Sequence, residues 1–115
     1  DNFGDIKGGN NAHWNVLVER DGDYRFTLSR YPLEAGTAMD APLTVLSRHI
    51  KALPVARARM KINRFDETIP VASGDKSVAF TVPLKAGKTR LQTWLYDSDG
   101  KELCGAYYVR AARLG

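Results

Sequence analysis

The sequence predicts an all-β fold, an antiparallel β-sandwich of jelly-roll or galactose-binding-like type. Three observations predict it. Short segments alternate apolar and polar residues with period two. Turn signals built on Gly and Asp separate them. No segment carries a full-length helical period. With 115 residues, 43% hydrophobic and 26% charged, the chain has the length and composition of one globular domain that can bury a core.

Residues 1–12, DNFGDIKGGNNA, are rich in Gly, Asn and Asp and read as a flexible lead-in or linker. Residues 13–115 read as the single sandwich domain. The opening Asp1-Asn2-Phe3-Gly4 has neither an initiator Met nor a signal peptide, which reads as the end of a fragment of a larger protein. From Trp14 the chain alternates: Trp14, Val16 and Val18 share one face, and Asn15, Leu17 and Glu19 the other. Arg20-Asp21-Gly22-Asp23 is a turn signal. Tyr24, Phe26 and Leu28 then alternate with Arg25, Thr27 and Ser29. The two segments read as a β-hairpin with an aromatic, core-facing side.

Residues 32–56 are punctuated by Pro32, Gly36, Pro42 and Pro54. Such a long connection is often functional or partly structured. Within it, 43–50 fits a short strand or a helical turn. Ala58, Met60 and Ile62 then face one side of a strand, with Arg57, Arg59 and Lys61 on the other. Val78, Phe80 and Val82 point inward from Ser77–Pro83. Lys85-Ala86-Gly87-Lys88 is a turn, and Thr89–Tyr96 an aromatic-rich strand. Asp97–Lys101 is a hairpin turn, and Cys104–Ala111 the last strand.

Catalytic and metal-binding patterns are missing. The two histidines, His13 and His49, and the single cysteine, Cys104, have no zinc-site spacing. A single cysteine forms no intrachain disulfide, so it does not fix the redox compartment. Flanked by Leu103 and Gly105 in a strand, Cys104 reads as packing rather than a nucleophile. No G-x-S-x-G, P-loop or G-x-G-x-x-G occurs. Asp97 and Asp99 ahead of Gly100 outline a calcium loop, but the distant Glu of an EF-hand is missing. A hairpin turn explains these residues by backbone needs. No apolar run reaches the ~20 residues that span a bilayer.

Charge supplies the one feature that stands out. The formal net charge is +4, compatible with anionic partners without selecting one. Between Asp40 and Asp66 there is no acidic residue, while Arg48, Lys51, Arg57, Arg59, Lys61, Arg64 and His49 fall inside. Arg57, Arg59 and Lys61 share one strand face, with neighbours roughly 7 Å apart. This strip suits sulfate, carboxylate or an acidic protein surface. The alternative is a solvated outer face, or an edge strand guarded by charge. Nucleic-acid binding would require basic residues interleaved with surface aromatics. Here the aromatics fall mostly on core phases, Trp14 and Trp94 among them. Tyr31, beside Pro32 at a strand end, is a better candidate for an exposed stacking surface, but a structural role is the favoured reading for it too.

The string HWNVLVERDGDYRFTLSRYPLEA (His13 to Ala35) resembles a segment near the carboxyl end of bacterial arylsulfatases. LPVARARMKI (Leu53 to Ile62) and FTVPLKAGKTRLQTWLYDSDGKELCGAYYVRAARL (Phe80 to Leu114) continue the resemblance in order and spacing, over nearly the whole chain from His13. The resemblance implies a non-catalytic carboxyl-terminal domain of a sulfuric ester hydrolase. The family's formylglycine nucleophile, made within a C/S-x-P-x-R motif, and its calcium ligands belong to the large amino-terminal domain. Cys104 is followed by Gly105-Ala106-Tyr107, so this fragment itself is expected to hold no cofactor and to be inert. The implied partner is the sulfatase catalytic domain in the same chain, on which this domain would pack. The resemblance assigns no residue roles in this tail; from the acid-free interval, Arg57, Arg59, Lys61 and Arg48 are expected to attract a sulfated glycan or to pair with acidic residues of the larger domain. No nucleic acid or membrane span is expected, and the implied location is periplasmic or secreted.

Gly22-Asp23-Tyr24 and Leu84–Leu91 also look like β-sandwich carbohydrate-binding modules of the galactose-binding type, which supports an alternative reading as an autonomous glycan-binding module. A purely structural interaction domain is a third reading, and predicts an exposed apolar face.

Overall fold

The structure, a computed structural model, describes residues 2–7, 13–31, 35–45, 48–104 and 108–114. These form strands β1 (Asn2–Lys7), β2 (His13–Val18), β3 (Gly22–Ser29), β4 (Leu43–Val45), β5 (Arg48–Ile50), β6 (Arg57–Ile62), β7 (Phe65–Pro70), β8 (Val78–Leu84), β9 (Gly87–Tyr96), β10 (Glu102–Cys104) and β11 (Tyr108–Arg113). The four-stranded sheet has the order β1-β11-β3-β8. The five-stranded sheet has the order β10-β9-β6-β7, with β2 also paired to β9. A small separate ladder joins β4 and β5.

The pairing is nested. Strand β1 pairs β11, β2 pairs β9, β3 pairs β8 and β6 pairs β7, all antiparallel. The chain is thus one long folded-back ribbon whose tip is the β6–β7 hairpin, rolled so that its strands fall in two layers. This is the jelly-roll order, and the expected all-β sandwich is the fold.

The inner faces follow from alternation. Tyr24, Phe26 and Leu28 of β3, the four apolar residues Val78, Phe80, Val82 and Leu84 of β8, and Val109 and Ala111 of β11 are buried. They meet Val16 and Val18 of β2, Ala58, Met60 and Ile62 of β6, and Leu91 and Leu95 of β9 in one core. Burying a side chain such as Phe26 or Leu28 stabilises by about 1.5–3 kcal/mol each.

Several local expectations need correction. Strands β2 and β3 are not a hairpin: β2 pairs β9, and β3 lies between β11 and β8 in the other sheet. A strand–turn–strand pattern is the same whether the chain folds back in one sheet or crosses between two. Here the Asp21-Gly22 corner crosses. The Ala86 N–H donates to the Asp21 carboxylate at 2.6 Å, and the Arg113 guanidinium donates to the Asp21 carbonyl at 3.0 and 3.1 Å. The Tyr24 hydroxyl donates back to the Arg20 carbonyl at 2.7 Å, a tyrosine-corner contact. Gly22 lies under Arg113, where a Cβ would stand 2.7 Å from Nε.

The last strand is two strands. Strand β10 pairs β9, β11 pairs β3, and residues 105–107 lie outside the described residues. Asn2–Lys7, read from composition as a lead-in, is strand β1 on the free edge of β11. Ladder hydrogen bonds come from the backbone, so Gly, Asn and Asp can pair where a partner edge is waiting. Residues 8–12 of that lead-in lie outside the described residues. Residues 43–45 and 48–50 form a strand pair, and residues 46–47 lie outside the described residues.

The long connection is held by two buried side chains. Arg30 is only 4% exposed. Its Nη1 donates to the carbonyls of Ala41 at 3.1 Å and Met39 at 3.4 Å, and its Nη2 to the carbonyl of Lys51. The Tyr31 hydroxyl donates to Ala41 at 2.6 Å. Met39, fully buried, plugs the loop into the core.

Candidate functional site

The outer face of the five-stranded sheet gathers the sequence's cationic strip and more. Because Ala58, Met60 and Ile62 point inward, Arg57, Arg59 and Lys61 point outward, as expected. Strand β6 lies between β7 and β9, so these residues do not guard an edge. They stand on the interior strand of an exposed face. Register places Arg57 opposite Tyr96, Arg59 opposite Trp94 and Lys61 opposite Gln92. On the far side of β9, Asn15 stands opposite Arg90 and Leu17 opposite Lys88. The outward row Lys88, Arg90, Gln92, Trp94 and Tyr96 runs roughly 27 Å at the strand's rise.

Five cations, Arg57, Arg59, Lys61, Lys88 and Arg90, thus share this face with two carboxylates, Asp66 and Glu102. Leu17, 58% exposed, lies in a shallow depression of about 590 Å³ with Asn15, Lys88 and Arg90. A single exposed Leu is ordinary, so the depression matters only as part of the charged face.

The centre of the face is organised. Arg59 forms a bidentate ion pair with Asp66, Nε to Oδ1 at 2.7 Å and Nη2 to Oδ2 at 2.6 Å. Its Cζ lies 4.4 Å from the Trp94 ring centroid, a cation–π stack. Hydrogen bonds to Asp66 and then to Tyr96 raise the Arg59 pKa beyond its already high value. The Arg59 hydrogen bonds hold the Asp66 carboxyl below the usual carboxylate range. The like charges predicted to repel in a row are therefore not equivalent. Arg59 is answered by Asp66, while Arg57 and Lys61 on either side of it form no ion pair within 4 Å among the described residues.

One aromatic expectation reverses, and Tyr31 takes the structural role rather than the stacking one. Trp94 is on the outer face, half-buried, because Leu91, Thr93 and Leu95 take the inward phase of β9. Tyr31 offers no stacking surface. It is 4% exposed, with its hydroxyl bonded to the Ala41 carbonyl. Burial raises its pKa, while the neighbouring Arg30 acts the other way. Trp14 packs on the core as expected. Arg48 begins β5 in the small ladder, away from the β6–β9 register, and its side chain lies outside the described ones. The side chains of His49 and Cys104 lie outside them too.

The sequence reading missed Asp66, Trp94, Tyr96, Lys88 and Arg90 as members of this face. The available signal was phase: Leu91 and Leu95 fix the inward parity of β9, which turns Lys88, Arg90, Trp94 and Tyr96 outward. Asp66 was hidden because it ends the acid-free interval in sequence yet folds back beside it.

No family model matches the chain. No curated protein matches it either. A solved structure, a ruminal GH26 endo-β-1,4-mannanase, is similar over 96% of this chain at 15% sequence identity and a TM-score of 0.50. This chain spans 19% of that chain's length. At that identity the likeness shows the β-sandwich fold alone. Among the described residues, no three His, Cys, Asp or Glu side chains come together to hold a metal ion, and no helix is long and apolar enough to cross a membrane.

Proposed function

We propose that this chain is a non-catalytic accessory β-sandwich of a larger carbohydrate-active hydrolase, and that the outer face of its five-stranded sheet engages an anionic glycan. The sequence resemblance to arylsulfatase carboxyl-terminal domains supports a sulfuric ester hydrolase as the parent. The likeness to part of a mannanase supports a β-sandwich serving inside a glycan-degrading enzyme. The observation that carries the reading is the face itself: the stacked Arg59–Trp94 pair, Tyr96 at the end of the same row, and Arg57, Lys61, Lys88 and Arg90 beside them. Stacking surfaces with a few placed polar groups hold sugars, and cations add preference for sulfate or carboxylate.

A matched pair of polymers tests this. Isothermal titration of the chain with dextran sulfate and with dextran compares one backbone with and without charge. The reading predicts binding of the sulfated polymer that weakens with added salt. It also predicts roughly a tenfold loss in the Arg57→Gln/Lys61→Gln/Arg90→Gln variant, from exposed charge contacts of under about 1 kcal/mol each. The Arg25→Gln/Lys76→Gln/Lys101→Gln variant removes the same charge elsewhere and should lose far less. Equal losses in both variants would overturn the face assignment. No heat with either polymer would overturn the glycan reading, leaving the face as a packing surface for an acidic protein domain.

A further inference from the structure

A second feature, separate from the outer face, lies where the rolled ribbon opens. Strands β7 and β8 are edge strands of different sheets. Between the β6–β7 turn and the end of β8 is a cleft of about 820 Å³, lined by Ile62, Asn63, Arg64, Phe65, Val82, Pro83 and Lys85. This is within the size range of small-molecule sites. From the geometry and chemistry of this cleft, we infer that it binds a small amphiphilic anion: a flat apolar ring or short acyl body bearing a carboxylate, sulfate or sulfonate.

The lining divides into a floor and a rim. Phe65 and Pro83 supply the accessible apolar surface, backed by the buried Ile62 and Val82. Phe65 is half-buried and meets Phe80 edge-on, with centroids 6.2 Å apart and rings at 88°. That contact fixes the ring across the gap between the layers. Arg64, in the β6–β7 hairpin turn, and Lys85, in the connection from β8 to β9, are the two charged lining residues, and both are exposed. Among the described residues no carboxylate lines the cleft, so its charge complements an anion and disfavours a cation.

The rim is also built in advance. Asn63 has a φ of 53°, and no other non-glycine among the described residues has a positive φ. Asn tolerates this left-handed conformation better than most residues. The Thr89 hydroxyl bonds the Asn63 side-chain oxygen, tying the turn to β9. A turn held in place loses less freedom when a ligand arrives. Val82 and Ile62 are core residues, so the floor belongs to the folded sandwich and not to a loose loop.

The test uses 2-naphthalenesulfonate and its uncharged counterpart 2-naphthalenemethanol, followed by amide chemical shifts of the chain. The sulfonate should move residues 62–65 and 82–85 with one shared dissociation constant. The neutral ring should bind the same residues several-fold more weakly. The Arg64→Gln/Lys85→Gln variant should lose roughly 3–10-fold in sulfonate affinity, as expected for two exposed cations, with the neutral ring unaffected. Equal affinity for the two probes, or shifts centred on Trp94 and its neighbours instead, would overturn the inference. Because none of the seven lining residues belongs to the outer face, failure here is separable from failure of the glycan reading.

Discussion

Arg30 is the perturbation whose effect follows most directly from the structure. Its guanidinium is buried and donates to the carbonyls of Ala41 and Lys51, with a longer contact to Met39. It also stacks on Tyr31, Cζ to centroid 4.9 Å. Its Nε has no hydrogen-bond partner among the described residues. Charge-assisted bonds such as those to Ala41 and Lys51 contribute about 1.5–3 kcal/mol each. Removing the buried cation with its orphan Nε returns part of that, because desolvating a guanidinium costs several kcal/mol. Arg30→Met keeps the length and loses the donors, and a net loss of about 3 kcal/mol is expected. At roughly 2.1 cal/mol/K per residue of unfolding entropy, that lowers Tm by about 12 °C for this chain length. Urea unfolding at pH 7 should show a lower midpoint with an unchanged slope. Amide exchange should accelerate in 35–56 more than in β3 or β9. Arg30→Lys should fall in between, since one ammonium cannot fork to the same carbonyls. A loss under about 0.5 kcal/mol in Arg30→Met, well below the estimate from these bonds, would refute the idea that this residue organises the long connection.

Other expectations are smaller. A double-mutant cycle with Arg59→Gln and Asp66→Asn should give a coupling of about 0.2–1 kcal/mol, since both side chains are about a third exposed. The Asp66 pKa is lowered in the folded state, so this contribution is complete above the ordinary carboxylate range. It is lost as pH falls through the lower folded value, and wild type and Asp66→Asn should converge in acid unfolding. Tyr24→Phe removes the bond to the Arg20 carbonyl and should cost about 1 kcal/mol by urea unfolding. Gly22→Ala should displace Arg113 from the Asp21 carbonyl, a change of about 1 kcal/mol that Arg113→Gln in the same background should not deepen.

Strand phases were legible because period-two burial is written in single segments. Ala58-x-Met60-x-Ile62 and Val78-x-Phe80-x-Val82 needed no knowledge of their partners. Pairing was not legible. Nothing local to Arg20–Asp23 separates a hairpin from an arch between sheets, since that depends on β8 and β11 arriving from far along the chain. Strand β7, FDETIP, was missed because only Phe65 and Ile69 are half-buried on this edge strand and the rest is exposed Asp, Glu, Thr and Pro. For the site, Arg57, Arg59 and Lys61 were visible as a strip, but Asp66 and Trp94 became its partners only through register. Arg48 joined the candidates by proximity in sequence alone; it begins β5, which pairs with β4 and not within the β6–β9 ladder.

The most direct test of the central claim is to map where a sulfated oligosaccharide lands. Amide and indole shifts of the labelled chain would be followed as the ligand is added. The account predicts changes in Arg57–Lys61 and Lys88–Tyr96, including the Trp94 indole, with little change at Trp14 or along β3. Changes confined to β3, β8 and β11, or no localised change at saturating ligand, would contradict it.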